Sequence, residues 1–534
     1  MLLVGLSVSA QTVTDALTFG QYYHGGTARY MSMGGAFNAL GGDFSTLSVN
    51  PAGLGVFRSD EFSLSFDLQR VNTGIGVNGA QQACDFLFNS NESLSDVGTN
   101  FDVSSVGYVS SFNLSNEELV FFNFGIGLNR LKSYNKVYRA DINGASHSLT
   151  DSWSQFLKGS TTGAYLADQS YLMNRIDNGN GIELLSPLIE GAKTDYIKDV
   201  VEQGDINEWV MSFGGNVNNT VYFGATLGIQ DIKQKKEYFQ TEYFLNTSHD
   251  DPFYDGKSYI RFSDNGGTEN SFEAGGDDSY TYYSYEQTTG VGLNGKFGVL
   301  VRPIDALRIG FAVHTPTINY LNVSHYADIT NNTKYFTDKN EFIDPTQGDA
   351  PGEKDETPAS YGYRTVSPYK LHAAIGITLG KRFALDAEAD MVDYSTMKIK
   401  DSRGRTHLYE ETNNTISEMY KVAWNTRIGA EFKLLPSLAL RAGAAYYASP
   451  FDDNFHTNAS GDIIDAADYV GGRFEHSIGL GFRAGDFFMD FAYIRSLQNN
   501  KAFVYDDAID VCELYEMDLN HEYNNFMLTF GFKF

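Results

Sequence analysis

The strongest constraint on this chain is a recurring segment of about ten residues in which polar and apolar side chains alternate strictly. Period two is the mark of a β-strand, because successive side chains leave a pleated backbone on opposite faces. In "YKLHAAIGITLG", Tyr369, Leu371, Ala373, Ile375, Ile377 and Leu379 share one face, and Lys370, His372, Ala374, Gly376, Thr378 and Gly380 share the other. After the short link Gly380-Lys381-Arg382, "FALDAEADM" repeats the pattern, with Phe383, Leu385, Ala387 and Met391 on the apolar side and Asp386, Glu388 and Asp390 on the polar side. The two segments read as a hairpin with one face turned to apolar surroundings and an acidic opposite face.

About fourteen such segments lie near residues 61–70, 103–115, 118–133, 207–217, 219–237, 285–302, 305–318, 366–379, 382–397, 420–433, 437–448, 472–483, 486–497 and 525–534. Short links such as "RPID", "LLPS" and "RAGD" alternate with long polar connections such as 134–206, 238–284 and 319–365. An even strand number with short turns on one side and long loops on the other is the pattern of a bacterial outer-membrane barrel, where closure satisfies every backbone group in lipid. The final segment, "NNFMLTFGFKF", sets Phe526, Leu528, Phe530, Phe532 and Phe534 on one face. It resembles the C-terminal signal read by the barrel-assembly machinery. A soluble propeller would show a repeat of roughly 40–50 residues, and none is found. The expected fold is all-β, a transmembrane antiparallel β-barrel of about 14 strands in the bacterial outer membrane.

Composition supports this reading. A net charge of -28 argues against nucleic acid, whose phosphates would repel the chain. No run of eighteen apolar residues is available for a membrane-spanning helix. The opening "MLLVGLSVSAQT" reads as the remnant of a signal peptide over residues 1–10, with Val8-Ser9-Ala10 before the cut and Gln11 as the mature N-terminus. Its missing basic region implies a start further upstream or a truncated chain. Cys84 falls in the first outer loop and Cys512 in the last, and closure makes the first and last strands neighbours. The two thiols either bridge that seam or stay free.

A barrel of this size encloses a lumen too wide for strand side chains alone to fill. The segment before the first strand, residues 11–58, is the candidate lumen hatch, ahead of the barrel proper at 59–534. It contains "GTARYMSMGGAFNALGGDFSTLSVNPAGLGVF", whose glycines permit close packing and positive φ. This stretch resembles the N-terminal hatch of the FadL-type family, outer-membrane transporters of long-chain fatty acids and aromatic hydrocarbons. The likeness lies in Met33-Gly34-Gly35-Ala36-Phe37, in Gly42-Asp43-Phe44-Ser45 and above all in Asn50-Pro51-Ala52-Gly53-Leu54. It implies a hatch filling the lumen, with Asn50, Pro51 and Ala52 at the constriction, Gly34 and Gly35 among the gate residues, and ligand leaving through a lateral gap in the wall. Without the resemblance, Asn50-Pro51 need only be a turn before the first strand.

The long loop after the third strand holds a helix-compatible stretch, "SWSQFLKGSTTGAYLADQSYLMNRID", followed by "GIELLSPLIEGAKTDYIKDVVEQG". Trp153, Phe156, Leu157 and Tyr165 are candidates for a greasy landing groove, with Lys158 or Arg175 near a ligand carboxylate. The same residues also suit a loop packing its own small core over the barrel mouth. Inward-facing charges are expected at Lys296, Arg308, Lys370, Asp386, Glu388, Asp390, Arg427, Glu431, Arg441, Arg473, Glu475, Asp490 and Lys533, as salt bridges holding wall to hatch. The last loop is strongly acidic, with Asp506, Asp507, Asp510, Glu513, Glu516, Asp518 and Glu522, and reads as a solvated surface.

No GxSxG, HExxH or paired-cysteine metal spacing is present, so no enzyme, metal or cofactor is expected. The leading expectation is a monomeric channel for passive uptake of hydrophobic small molecules, such as long-chain fatty acids, with hatch-gated lateral release. Its expected partners are that ligand, outer-membrane lipid and lipopolysaccharide, and the assembly machinery. The alternative is a related barrel that binds proteins as a partner of a secretion system.

Overall fold

The computed structural model describes residues 13–77 apart from Tyr22, 98–145 apart from 115–117, 148–155, 162–186 apart from 171 and 178–181, 193–245, 259–263, 269–273, 279–332, 335–336, 342–343, 353–355, 359–452, 469–503 and 516–534. The expected signal-peptide remnant, Cys84, Cys512, Phe156, Leu157 and Lys158 lie outside the described residues.

Fourteen antiparallel strands form the wall. They are β1 (Glu61–Val77), β2 (Gly98–Asn113), β3 (Leu119–Ser133, continued by Lys136–Ala145), β4 (Lys193–Val217), β5 (Val221–Leu245), β6 (Ser279–Ile304) and β7 (Leu307–His314 with Ile318–Asn331). After them come β8 (Ala359–Val366 with Lys370–Leu379), β9 (Phe383–Asp393 with Lys398–Asp401), β10 (Val422–Leu435), β11 (Leu438–Tyr447), β12 (Tyr469–Ala484), β13 (Phe487–Phe503) and β14 (Glu516–Lys533). Each pairs with the next, and β14 pairs with β1 from Glu61↔Lys533 to Val77↔Met517, so the fourteen strands close into a ring. Every segment found by alternation corresponds to one of these strands.

The side chains sort as the alternation requires. Phe213, Phe297, Phe311, Ile375, Trp424 and Ile478 face outward, each more than half exposed, while Asp386, Glu388 and Asp390 are buried inside. An unbroken apolar outer belt belongs in lipid. On β14 it runs from Phe526 to Phe534, about 26 Å at 3.3 Å per residue, matching the ~25 Å apolar band of such barrels. Above it stand polar groups, beginning with the Arg495–Glu522 pair at 2.7 Å.

Three differences from the sequence reading matter. The strands β4, β5 and β6 run for 25, 25 and 26 residues, against 10 for β11, so one side of the wall rises far beyond the belt. Part of the loop expected at 134–206 is strand: Lys136–Ala145 pairs with β4, and the stretch from Lys193 onward pairs on both sides. Among the described residues there, 149–155 and 162–169 are helical, as α3 (Leu149–Gln155) and α4 (Thr162–Gln169). Finally, β7, β8 and β9 are interrupted side by side at 315–317, 367–369 and 394–397, the first two at Pro316 and Pro368, which cannot donate to a ladder.

Candidate functional site

Residues 13–57 lie within the barrel and thread it from end to end. At the end near the long loops, α1 (Val13–Gly20) packs Val13, Ala16, Leu17 and Phe19 into a core shared with Leu131, Ile206, Tyr394 and Tyr420. It also meets α5 (Glu410–Met419) of the β9–β10 loop through Ile416 and Met419. The Lys132 ammonium and the Tyr134 hydroxyl both donate to the Thr18 carbonyl, at 2.8 and 3.1 Å, satisfying a helix-end acceptor. At the short-turn end, Asn123 donates to the Leu54 carbonyl at 2.6 Å.

Between these ends the segment is cross-linked to the wall by polar groups. The Asp386 carboxylate accepts from the Ala39 and Leu40 amides at 3.0 and 2.9 Å, and Arg308 donates to the Leu40 carbonyl. Arg29 pairs with Glu431 at 3.1 Å, and His314 donates to the Val49 carbonyl at 2.6 Å. His24 reaches Asp390 at 3.3 Å. Behind the contact, Arg427 binds Glu388 at 2.6 Å and Asp390 at 2.7 Å, all three side chains being closed off from solvent. The thirteen charges expected to face inward do so, and several of them hold the wall to the luminal segment.

Backbone contact is just as close. Gly34 has φ +64° and Gly35 φ +70°, a left-handed turn that suits glycine. A Cβ on the wall residue Gly443 would lie 2.1 Å from the Met33 carbonyl carbon, so the two backbones touch. Asn50 caps the short 3₁₀ helix Pro51–Val56, its side chain accepting from the Ala52 amide at 3.1 Å and donating to the Asn38 carbonyl at 2.9 Å. Asn50 and Pro51 press on Gly298 and Gly224 of the wall, where a side chain would collide with them. The Asn-Pro-Ala motif is thus both a helix start and a wedge against β5 and β6.

The residues proposed for a landing groove are spread apart. Trp153 is buried against Tyr280 and Tyr282, with ring centroids at 6.1 and 5.3 Å, in the core that α3 and α4 form with the tall strands. Tyr165 is exposed, and Arg175 lies on the short strand Asn174–Asp177. Trp153→Ala is expected to cost about 3–5 kcal/mol within this loop module. Limited proteolysis should then nick 146–192 quickly while the barrel survives intact.

Alternation gave no sign of the split in the wall. Ladder pairing between β2 and β3 covers 105–113 against 121–129 and stops at Ser105↔Asn129. Beyond it, 98–103 pairs only with β1, and β3 from Arg130 onward pairs only with β4. Both strands bulge at this level: β2 leaves Ser104 unpaired against β1, and β3 leaves Leu131 unpaired against β4. Past the bulge β3 moves inward across β1, where Ser133 donates to Gln69 at 2.9 Å.

Inside the split lies a cavity of about 590 Å³, bounded by α1, residues 23–26 and the wall. Leu17, Tyr134 and Met527 give it an apolar side, and Asp67, Arg130, Lys132 and Arg473 a charged one. The cavity is thus amphipathic. Among the described residues, no cluster of three or more His, Cys, Asp or Glu is placed to hold a metal ion.

Fold and site together define a membrane-spanning barrel with a luminal N-terminal segment and one lateral split. A solved structure of a Pseudomonas aeruginosa FadL homologue has this fold: 15% identity, 96% of this chain and 100% of that chain covered, TM-score 0.54. The Pseudomonas putida toluene transporter TodX aligns at 13% identity over 96% of this chain and 99% of its own, with a TM-score of 0.48. The Ralstonia pickettii toluene transporter TbuX aligns at 13% identity over the same shares, with a TM-score of 0.46. No protein-family model matches the chain, and no curated protein matches it by sequence.

Proposed function

We propose that this protein is an outer-membrane channel for passive uptake of hydrophobic small molecules such as long-chain fatty acids, of the FadL type. The observation that carries the reading is the wall split beside a closed luminal segment, with an amphipathic cavity between them. Straight passage is blocked by the luminal segment and its polar cross-links to Asp386, Glu431 and His314 of the wall. A ligand in the cavity has the split as its nearest way into the lipid phase, and Asn50, Pro51 and Ala52, with the Gly34-Gly35 turn, form the part of the hatch that would shift as it passes. The channel works as a monomer, its belt against lipid and lipopolysaccharide, and needs no cofactor or covalent chemistry.

The test is uptake of radiolabelled oleate, and separately of toluene, by cells producing the protein in an outer membrane that lacks its own channel for either. Uptake of at least one is expected to rise, and Ser104→Trp, which fills the split, to lower it about tenfold. Uptake no higher than in non-producing cells for both compounds would overturn the reading and leave the secretion-partner role standing.

A further inference from the structure

We propose that Arg130 is the latch that holds the wall split closed. The inference rests on the split being the exit, as proposed above. In the β1–β2 ladder Asp67 and Asp102 stand directly opposite each other. Two like charges at such a position repel. Arg130 lies over both, one guanidinium nitrogen on Asp67 and the other 2.6 Å from Asp102. Charge-assisted contacts of this kind are about twice as strong as neutral hydrogen bonds.

Arg130 also stands at the one level where such a tie is needed. The β2–β3 ladder ends one residue before it, and among the described residues the Arg130–Asp102 contact is the one ion pair crossing the split. Its anchors differ in exposure. Each carboxylate has a second amide donor, Asn525 of β14 for Asp67 at 2.8 Å and Asn100 of its own strand for Asp102, but Asp67 is buried whereas the Asp102 side chain is one-third exposed. The contact to Asp102 therefore breaks first: Asp102 turns to water, Arg130 stays on Asp67, and β2 parts from β3 without disturbing the ladder below.

The experiment reads the split directly. In a background with Cys84 and Cys512 changed to Ser, Ser104→Cys places a thiol in the split and Ser105→Cys places one in the last intact pair. Each is labelled with N-ethylmaleimide in the assembled, membrane-inserted barrel. Asp102→Asn and Arg130→Gln are expected to speed labelling at 104 at least tenfold and leave 105 unchanged, with Arg130→Lys restoring most of the slow rate. Equal acceleration at both positions means general loosening and overturns the latch, as does no change at 104 in either variant. Faster labelling at 104 with oleate uptake unaltered keeps the latch and removes the lateral exit, so the two ideas fail separately.

Discussion

Deletion of residues 13–57 is expected to turn a closed barrel into an ion-conducting pore. Fourteen strands leave an interior that side chains do not fill, and here the filling is this segment, buried along almost its whole length. The wall does not need it to close, because each strand is hydrogen-bonded to two neighbours around the full circuit. The variant should therefore still assemble and migrate as a heat-modifiable barrel. What it loses is the set of contacts at Asp386, Glu431, Asn123 and His314, whose freed polar groups then line a wet lumen. Planar-bilayer conductance should rise at least tenfold over the intact protein, with new sensitivity of cells to a large hydrophilic antibiotic. A deleted protein that assembles and remains non-conducting would mean that something other than this segment seals the barrel.

Arg427→Met is expected to be the most destabilising single change in the wall. Its guanidinium is shut off from solvent between Glu388 and Asp390, and Asp390 also receives His372 at 2.5 Å and His24 from the luminal segment. Methionine matches much of the volume but leaves two buried carboxylates facing each other. Breaking a buried pair on one side costs about 3–5 kcal/mol, because the remaining charge is uncompensated. Urea unfolding in lipid vesicles measures this as a lowered midpoint. The triple change Arg427→Met, Glu388→Gln, Asp390→Asn should recover much of the loss, since no charge is then left alone. If the single and triple variants are equally unstable, the cost comes from packing and not from charge.

Much of the architecture was legible because lipid enforces it. A barrel wall has one apolar face along its whole height, so Leu371, Ile375 and Leu379 announce the outside as clearly as Asp386, Glu388 and Asp390 announce the lumen. The six short and seven long connections followed from the same spacing. Legibility failed where lipid stops. Above the belt the outer face meets water while Tyr196, Val200, Tyr280 and Tyr282 pack inward under the loop module, so "YTYYSYEQ" on β6 and "TDYIKDVVEQ" on β4 lack the outward apolar stripe that lipid demands, and their strands read as loop.

The split failed for a different reason. Even-numbered residues of β3 such as Ile126 and Leu128 face out, so strict alternation assigns Arg130 to the lipid side and leaves it off the list of inward charges. The bulge at Leu131 breaks that phase, and Arg130 is 7% exposed, on the inner side with Asp67. A second bulge at Ser104 does the same for Asp102. A bulge adds one residue without changing the composition of a strand, and nothing in a single sequence marks it.

The seam between the first and last strands is also tied to the segment inside the ring. At mid-height the Thr529 hydroxyl oxygen of β14 takes the Ala28 amide at 2.8 Å and lies 2.7 Å from the Ser65 hydroxyl of β1. One side chain thus joins the two edges that meet last in the chain and the segment that was made first. Thr529 therefore acts as a rivet: sliding β14 along β1 by one residue turns it out of the lumen and costs the seam and the inner segment both contacts.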